Sequence, residues 1–138
     1  MKVVIMAGGK GTRIASVNAD VPKPMILIDG KPILEYQINA LAAQGYCEII
    51  LIIGHLGHVI RDYFEDGSKW NVQISYIEEN TPLGTAGALF YLKEQIKDDF
   101  LLLNGDIIFD VDIRRFLAYH KAQGTMATIL THPNSHPY

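Results

Sequence analysis

The sequence predicts an α/β domain, a three-layer α/β/α arrangement on a mostly parallel, doubly wound sheet. Three observations predict it. Short β-branched apolar runs recur along the chain, stretches of helical period separate them, and Gly or Pro marks several of the joins. Apolar runs without polar alternation fit strands covered on both faces. Strand and helix in alternation imply right-handed βαβ crossovers.

Residues 3–6 (Val-Val-Ile-Met) read as the first buried strand and residues 49–53 (Ile-Ile-Leu-Ile-Ile) as the second. Residues 74–77, 100–103 and 126–130 complete the set. Pro32 opens the first helix, whose apolar stripe is Ile33, Leu34, Ile38, Leu41 and Ala42, and Gly45 closes it. Residues 59–64 give a shorter second helix, 85–96 a third, and 113–123 a fourth that ends at Gly124. One connection departs from this economy: residues 7–24, rich in Gly, Lys and Pro, separate the first strand from Met25. Loops of that length inside a compact domain are usually functional or disordered. Residues 132–138 follow the fifth strand with no capping helix. The expectation is therefore a single domain over 1–138 that forms part of something longer.

Composition narrows the function classes. The 138 residues suffice for one domain with a real core. A hydrophobic fraction of 49% against 20% charged residues excludes a disordered chain. Twelve Lys+Arg against fifteen Asp+Glu give −3, which leaves no bulk basic footprint for nucleic acid. Cys47, the single cysteine, supplies neither an internal disulfide nor a thiolate zinc site by itself. No apolar run approaches the roughly 20 residues of a membrane span. The first residues are too soon interrupted by glycines for a signal peptide. A cytoplasmic protein without nucleic-acid or membrane partners is expected, with self-association into a homo-oligomer left open.

The chemistry is concentrated after the first strand, in Ala7-Gly8-Gly9-Lys10-Gly11-Thr12-Arg13. Open α/β sheets bind ligands at that edge. The glycines let the backbone turn tightly and present N–H groups to an anion. Thr12 adds a hydroxyl, and Arg13 a planar fork suited to phosphate oxygens. Spacing excludes a dinucleotide fingerprint, because Ile14 stands where the third glycine belongs. It excludes a Walker loop as well, since no Gly-Lys-Ser/Thr follows a four-residue spacer. Further on, Pro22-Lys23-Pro24 fixes a lysine in an extended, stiff segment from which it could reach the same anion. The plainer alternative is a glycine-rich turn with two solvated cations, which Arg13 and the fixed Lys23 together disfavour.

These residues resemble a known family. Gly8-Gly9-Lys10-Gly11-Thr12-Arg13 followed by Pro22-Lys23-Pro24 is similar to the signature of sugar-1-phosphate nucleotidyltransferases. Pro82-Leu83-Gly84-Thr85-Ala86-Gly87-Ala88 resembles that family's base-contacting loop, and Leu103-Asn104-Gly105-Asp106 its strand-end metal aspartate. The resemblance implies a Rossmann-like nucleotidyltransferase fold. It implies attack of a sugar 1-phosphate oxygen on the α-phosphorus of a nucleoside triphosphate, with release of pyrophosphate. Catalysis would then rest on positioning and charge neutralisation. By the resemblance Ala7, Gly8, Gly9, Gly11, Thr12 and Arg13 bind the nucleotide, the amides from Gly9 to Thr12 and the Arg13 fork holding the β- and γ-phosphates. Lys23 stands near the α-phosphate, and Asp106 holds Mg²⁺. Pro82, Gly84 and Thr85 meet the nucleoside, and Glu79 reads the base edge, with Glu78 as its competitor.

A carboxylate only accepts hydrogen bonds, and guanine offers adjacent donors at N1–H and N2–H₂. That favours GTP over UTP or dTTP, and the same segments are similar to mannose- and heptose-1-phosphate guanylyltransferases. A regulatory module that binds nucleotide without catalysis remains the alternative, as does a subunit completed by a partner chain. The sugar-recognition segments and second metal aspartate implied by the family have no match after Met126. The chain is therefore expected to be the nucleotide-binding half, slow in transfer on its own.

Other conspicuous residues read as structural. His55 and His58 flank Gly57 without a third ligand in view, and suit a loop and helix start. Trp70 and the tyrosines fall at element ends, as core and rim. Asp110 and Asp112 suit solvent or the cap of the helix at Ile113.

Overall fold

The computed structural model describes residues 1–8, 20–80 and 87–131. Its main sheet has four parallel strands: β1 (Lys2–Met6), β4 (Glu48–Ile53), β5 (Gln73–Glu78) and β6 (Phe100–Asn104). They lie in the order β5-β4-β1-β6. β1 is central, with Val4 opposite Ile50 on one side and opposite Leu102 on the other. Helices α1 (Ile33–Ala43), α2 (Gly57–Phe64) and α3 (Ile113–Gln123) follow the spans expected from their periodicity. Gly45 and Gly124 close α1 and α3 with φ of 87° and 64°, a conformation that glycine adopts without steric penalty. Asp112 caps α3, its Oδ1 accepting from Arg115 N at 3.3 Å.

The pleat sends alternate residues to opposite faces. Val3, Ile5, Ile49, Leu51 and Ile53 pack with Leu34, Ile38 and Leu41 of α1, Ile60 and Phe64 of α2, and Ile113 of α3. Val4, Ile50 and Ile52 face the other way, against Ala88 and Leu92. Chain direction explains the division. From β1 outward to β5 the right-handed crossovers place their helices on one face, whereas the return from β5 to β6 runs over the opposite face. Trp70 packs its ring 4.8 Å from that of Phe64 and 5.7 Å from that of Tyr63, a core-rim role as expected.

Four expectations need correction. Residues 126–130 form no strand: the chain there is irregular, and Met126, Ile129 and Leu130 are exposed. An apolar run becomes a strand only with a ladder partner, and no described strand lies beside this one. The helix expected over 85–96 is, in its described part, mainly a 3₁₀ turn at Leu89–Leu92. Leu92 is the buried residue of that turn, so little packing holds a longer helix in register. Among the described residues β5 and β6 are the outer strands and are not covered on both faces; Gln73 and Ser75 in one, Phe100 and Leu102 in the other, are exposed. Lys23, expected in an extended segment, instead starts a 3₁₀ turn at Lys23–Met25. Burial of Pro24 and Met25, with Met25 N–H donating to Pro22 O and Ile26 N–H to Lys23 O, outweighs the extended preference of a residue before proline.

The fold also contains a small hairpin beyond the expected elements. β2 (Leu27–Ile28) and β3 (Lys31–Pro32) pair antiparallel across Asp29-Gly30. Both turn residues have positive φ, 52° and 77°, the backbone that a two-residue hairpin loop requires.

Candidate functional site

The described candidate residues gather at the carboxyl ends of the strands. Going outward from β1, the chain order reverses at the β1–β6 boundary, and ligands of open α/β sheets bind at such a reversal. Asp106 follows β6 there, in the turn opened by Asn104 and Gly105. Lys23 approaches from the other side, with Nζ 2.9 Å from Asp106 Oδ2 and both side chains about one-third open to solvent, 34% and 33%. The pair is therefore open to solvent at the strand ends and is not sealed in the core.

Gly105 makes that geometry feasible. Its N–H donates to Met6 O at 2.9 Å. A Cβ added there would stand 3.0 Å from Met6 O and 3.2 Å from Pro24 Cγ. The turn bearing Asp106 is thus laid directly on the end of β1 and on the segment bearing Lys23. On the opposite side of β1, Ala7 N–H donates to Ile52 O at 2.8 Å, and Gly8 meets Gly54 backbone to backbone. A Cβ on Gly54 would stand 3.0 Å from Gly8 O and 3.5 Å from Glu79 O. Glu79 N–H donates to Ile53 O at 2.7 Å. One line of backbone therefore runs along the sheet edge from Asp106 and Lys23, through Ala7 and Gly8, over Gly54, to Glu79.

All five of the described candidates, Ala7, Gly8, Lys23, Glu79 and Asp106, meet along this edge. Gly9, Gly11, Thr12 and Arg13 lie outside the described residues, as do Pro82, Gly84 and Thr85. Glu78, the competitor of Glu79, ends β5 and pairs with Arg61 of α2 at 3.8 Å. His55 and His58 join no metal-binding group: among the described residues no three His, Cys, Asp or Glu side chains gather to hold an ion. Asp110 is exposed, and Asp112 is engaged in capping α3.

Sequence reasoning missed Gln37 of α1 and Gln44, the C-cap of that helix. Gln37 is 1% exposed and donates from Nε2 to Asn104 O at 2.6 Å and to Ile107 O at 2.5 Å. Gln44 donates from Nε2 to Val111 O at 2.9 Å, and its Oε1 accepts from Ile113 N at 2.8 Å. A readable signal existed: Gln37 falls between Leu34 and Ile38 on the apolar stripe, where a long amide is out of place.

Fold and strand-end geometry together define an open, doubly wound α/β domain with opposed charges and glycine-lined backbone at its switch point, suited to anionic ligands. The chain belongs to the nucleotidyl transferase family, whose family model matches residues 2–138. Among its relatives, the Synechocystis UTP–glucose-1-phosphate uridylyltransferase is 36% identical over 95% of this chain and 37% of its own length. The Campylobacter jejuni D-glycero-alpha-D-manno-heptose 1-phosphate guanylyltransferase is 40% identical over 83% of this chain and 52% of its own length. Among solved structures, HddC from Yersinia pseudotuberculosis complexed with GMP-PN superposes with a TM-score of 0.77 at 39% identity. It covers 86% of this chain and 53% of that one. A glucose-1-phosphate thymidylyltransferase of Bacillus anthracis, described as putative in its name, shares the fold with a TM-score of 0.80 at 24% identity. The chain thus spans between about a third and a half of the length of these relatives.

Proposed function

We propose that this chain binds a nucleoside triphosphate, with GTP favoured, along the strand-end line. In the protein to which it belongs, the nucleoside monophosphate is then transferred to a sugar 1-phosphate, releasing pyrophosphate. The observation that carries this reading is the Lys23–Asp106 pair at the switch point, beside the backbone of Ala7 and Gly8. A cation and a carboxylate held 2.9 Å apart and open to solvent are what a metal–triphosphate needs on its two sides.

In this reading the amides of Gly8, Gly9, Gly11 and Thr12, with the Arg13 fork, hold the β- and γ-phosphates. Lys23 releases Asp106 and moves to the α-phosphate, where negative charge grows as the nucleophile arrives. Asp106 suits Mg²⁺ as a single carboxylate, because Mg²⁺ in phosphate sites is commonly held by one or two carboxylates with water and phosphate oxygens. When bound, Mg²⁺ would neutralise triphosphate charge and fix its geometry. Pro82, Gly84 and Thr85 meet the nucleoside. Glu79 accepts from guanine N1–H and N2–H₂, with Glu78 as its competitor. The guanylyltransferase relative from C. jejuni and the GMP-PN complex of HddC also support GTP. The uridylyltransferase relative supports the second reading, a UTP or dTTP user. Residues 1–138 would supply the nucleotide-binding half, in keeping with the share of its relatives that the chain spans.

The test is thermal unfolding with GTP, UTP, dTTP, CTP and ATP, each with and without Mg²⁺. A ligand at about 100 times its Kd stabilises a two-state domain by about 2.7 kcal/mol, several degrees at this size. GTP alone should raise Tm, and Mg²⁺ should enlarge the rise. A larger rise with UTP or dTTP would replace the base assignment, and no rise with any of the five would overturn nucleotide binding by this chain.

A further inference from the structure

We propose that Gln37 is a positioning residue for the metal–nucleotide site, acting from α1 through the turn that carries Asp106; this rests on the role given to Asp106 above. The argument begins with what Gln37 does for the fold. It sits in the apolar stripe with Leu34, Ile38 and Leu41, at 1% exposure. A leucine or methionine there would pack without a desolvation cost, whereas a buried amide needs partners for every polar atom. Gln37 does not find them all: its Oε1 has no partner among the described residues. For packing alone the residue is a liability, and residues that break a local rule tend to mark function.

Its two donors show what it gains. Both hydrogens of the amide go to backbone carbonyls, one to Asn104 and one to Ile107. These carbonyls bracket Gly105 and Asp106 in the chain, so a single side-chain NH₂ ties the turn at both ends. The amide orientation is dictated, since two carbonyls can only be met by the nitrogen. On its other side the same turn lies against β1, through Gly105 and Met6 O. The backbone under Asp106 is therefore gripped between β1 and α1, and its carboxylate is aimed before any ligand arrives.

Gln44 provides an internal control. Seven residues on, at the C-cap of α1, it clamps the far end of the same connection, at Val111 and Ile113. It supports the loop but does not touch the turn at Asp106. A purely structural role predicts that loss of either glutamine acts alike; a positioning role predicts that they differ.

The experiment uses Mn²⁺ as the spectroscopic probe, with the nucleotide that best stabilises the wild type in the five-nucleotide panel. Binding is followed by the electron paramagnetic resonance of free Mn²⁺, and metal-free nucleotide binding is measured in parallel with chelator present. Gln37→Met keeps the length and removes both donors. It should weaken Mn²⁺ binding in the ternary mixture by about 10–100-fold, the usual cost of losing an outer support of a metal ligand. Metal-free nucleotide affinity should stay within about twofold, because neither the loop of Gly8 nor Glu79 hangs on this amide. Gln44→Met should lower Tm while leaving Mn²⁺ affinity at the wild-type value. If Gln37→Met loses its cooperative melt, Gln37→Asn keeps an amide with a shorter reach and should give an intermediate loss. Mn²⁺ affinity unchanged in the Gln37 variant, or lowered equally in the Gln44 variant, would overturn the inference while nucleotide binding stands. A wild type that binds no Mn²⁺–nucleotide would overturn both.

Discussion

Asp106→Asn separates a structural carboxylate from a functional one. At 2.9 Å, two unit charges attract by about 1.4 kcal/mol at the dielectric of water. Both side chains of the Lys23–Asp106 pair are about one-third exposed, so screening and the entropy of holding two side chains offset much of that. Measured exposed pairs contribute about 0.2–1 kcal/mol. Asn keeps the shape and leaves Lys23 an amide oxygen, so Tm without ligand should fall by no more than about 5 °C. The effect on the liganded protein should be far larger. With nucleotide and Mg²⁺ at about 100 times the wild-type Kd, stabilisation is about 2.7 kcal/mol. A 100-fold weaker complex at the same concentration retains only about 0.4 kcal/mol. Thermal melts of both proteins, with and without nucleotide and Mg²⁺, read the two quantities in one experiment. A ligand-free loss of about 3 kcal/mol or more would make the pair a folding element, and a full ligand-induced shift in the variant would remove Asp106 from the site.

Gly54→Ala places a Cβ 3.0 Å from Gly8 O and 3.5 Å from Glu79 O, where the neighbours are backbone pinned by hydrogen bonds, so urea unfolding should show a loss of about 1–3 kcal/mol. A loss below about 0.5 kcal/mol would mean that the strand ends yield freely. Burial pushes the Tyr76 phenol, which donates to Glu65 O, from its ordinary 10.0 up to about 12 despite Arg61. The stability of the neutral phenol is fully present below about pH 10 and is lost as pH rises through about 12, because in between the unfolded chain alone gives up the proton. Tyr76→Phe should therefore flatten the stability–pH curve over that window; an unchanged slope would show that Tyr76 is not its source.

The sequence was most informative where local chemistry and tertiary demand agree. β1 and β4 are apolar because both of their faces are covered, and α1 and α3 end where glycine permits a positive φ. Asp29-Gly30 is just as legible, a two-residue turn signal between the short pairs Leu27–Ile28 and Lys31–Pro32. Residues 126–130 look like a strand, yet pairing is a property of neighbours and not of the run itself. The site divides in the same way. Lys23 and Asp106 are nameable from short motifs, but their 2.9 Å contact is created by the placing of β6 beside β1. Gln37 reaches its acceptors across 67 and 70 residues, so only its oddity in an apolar stripe could point to it.

The central place of β1 also bears on the birth of the protein. The strand is made before both of its partners, residues 48–53 and 100–104. At a synthesis rate of about 5–20 residues per second, about 5–20 s pass between completion of Met6 and completion of the second partner. Through that interval Val3, Val4 and Ile5, each wholly buried in the finished fold, have at most one neighbour to shield them. Parallel pairing between distant segments is slow to form and open to mispairing. The exposure during synthesis therefore falls on the central strand, residues 2–6, before Asp106 has been made.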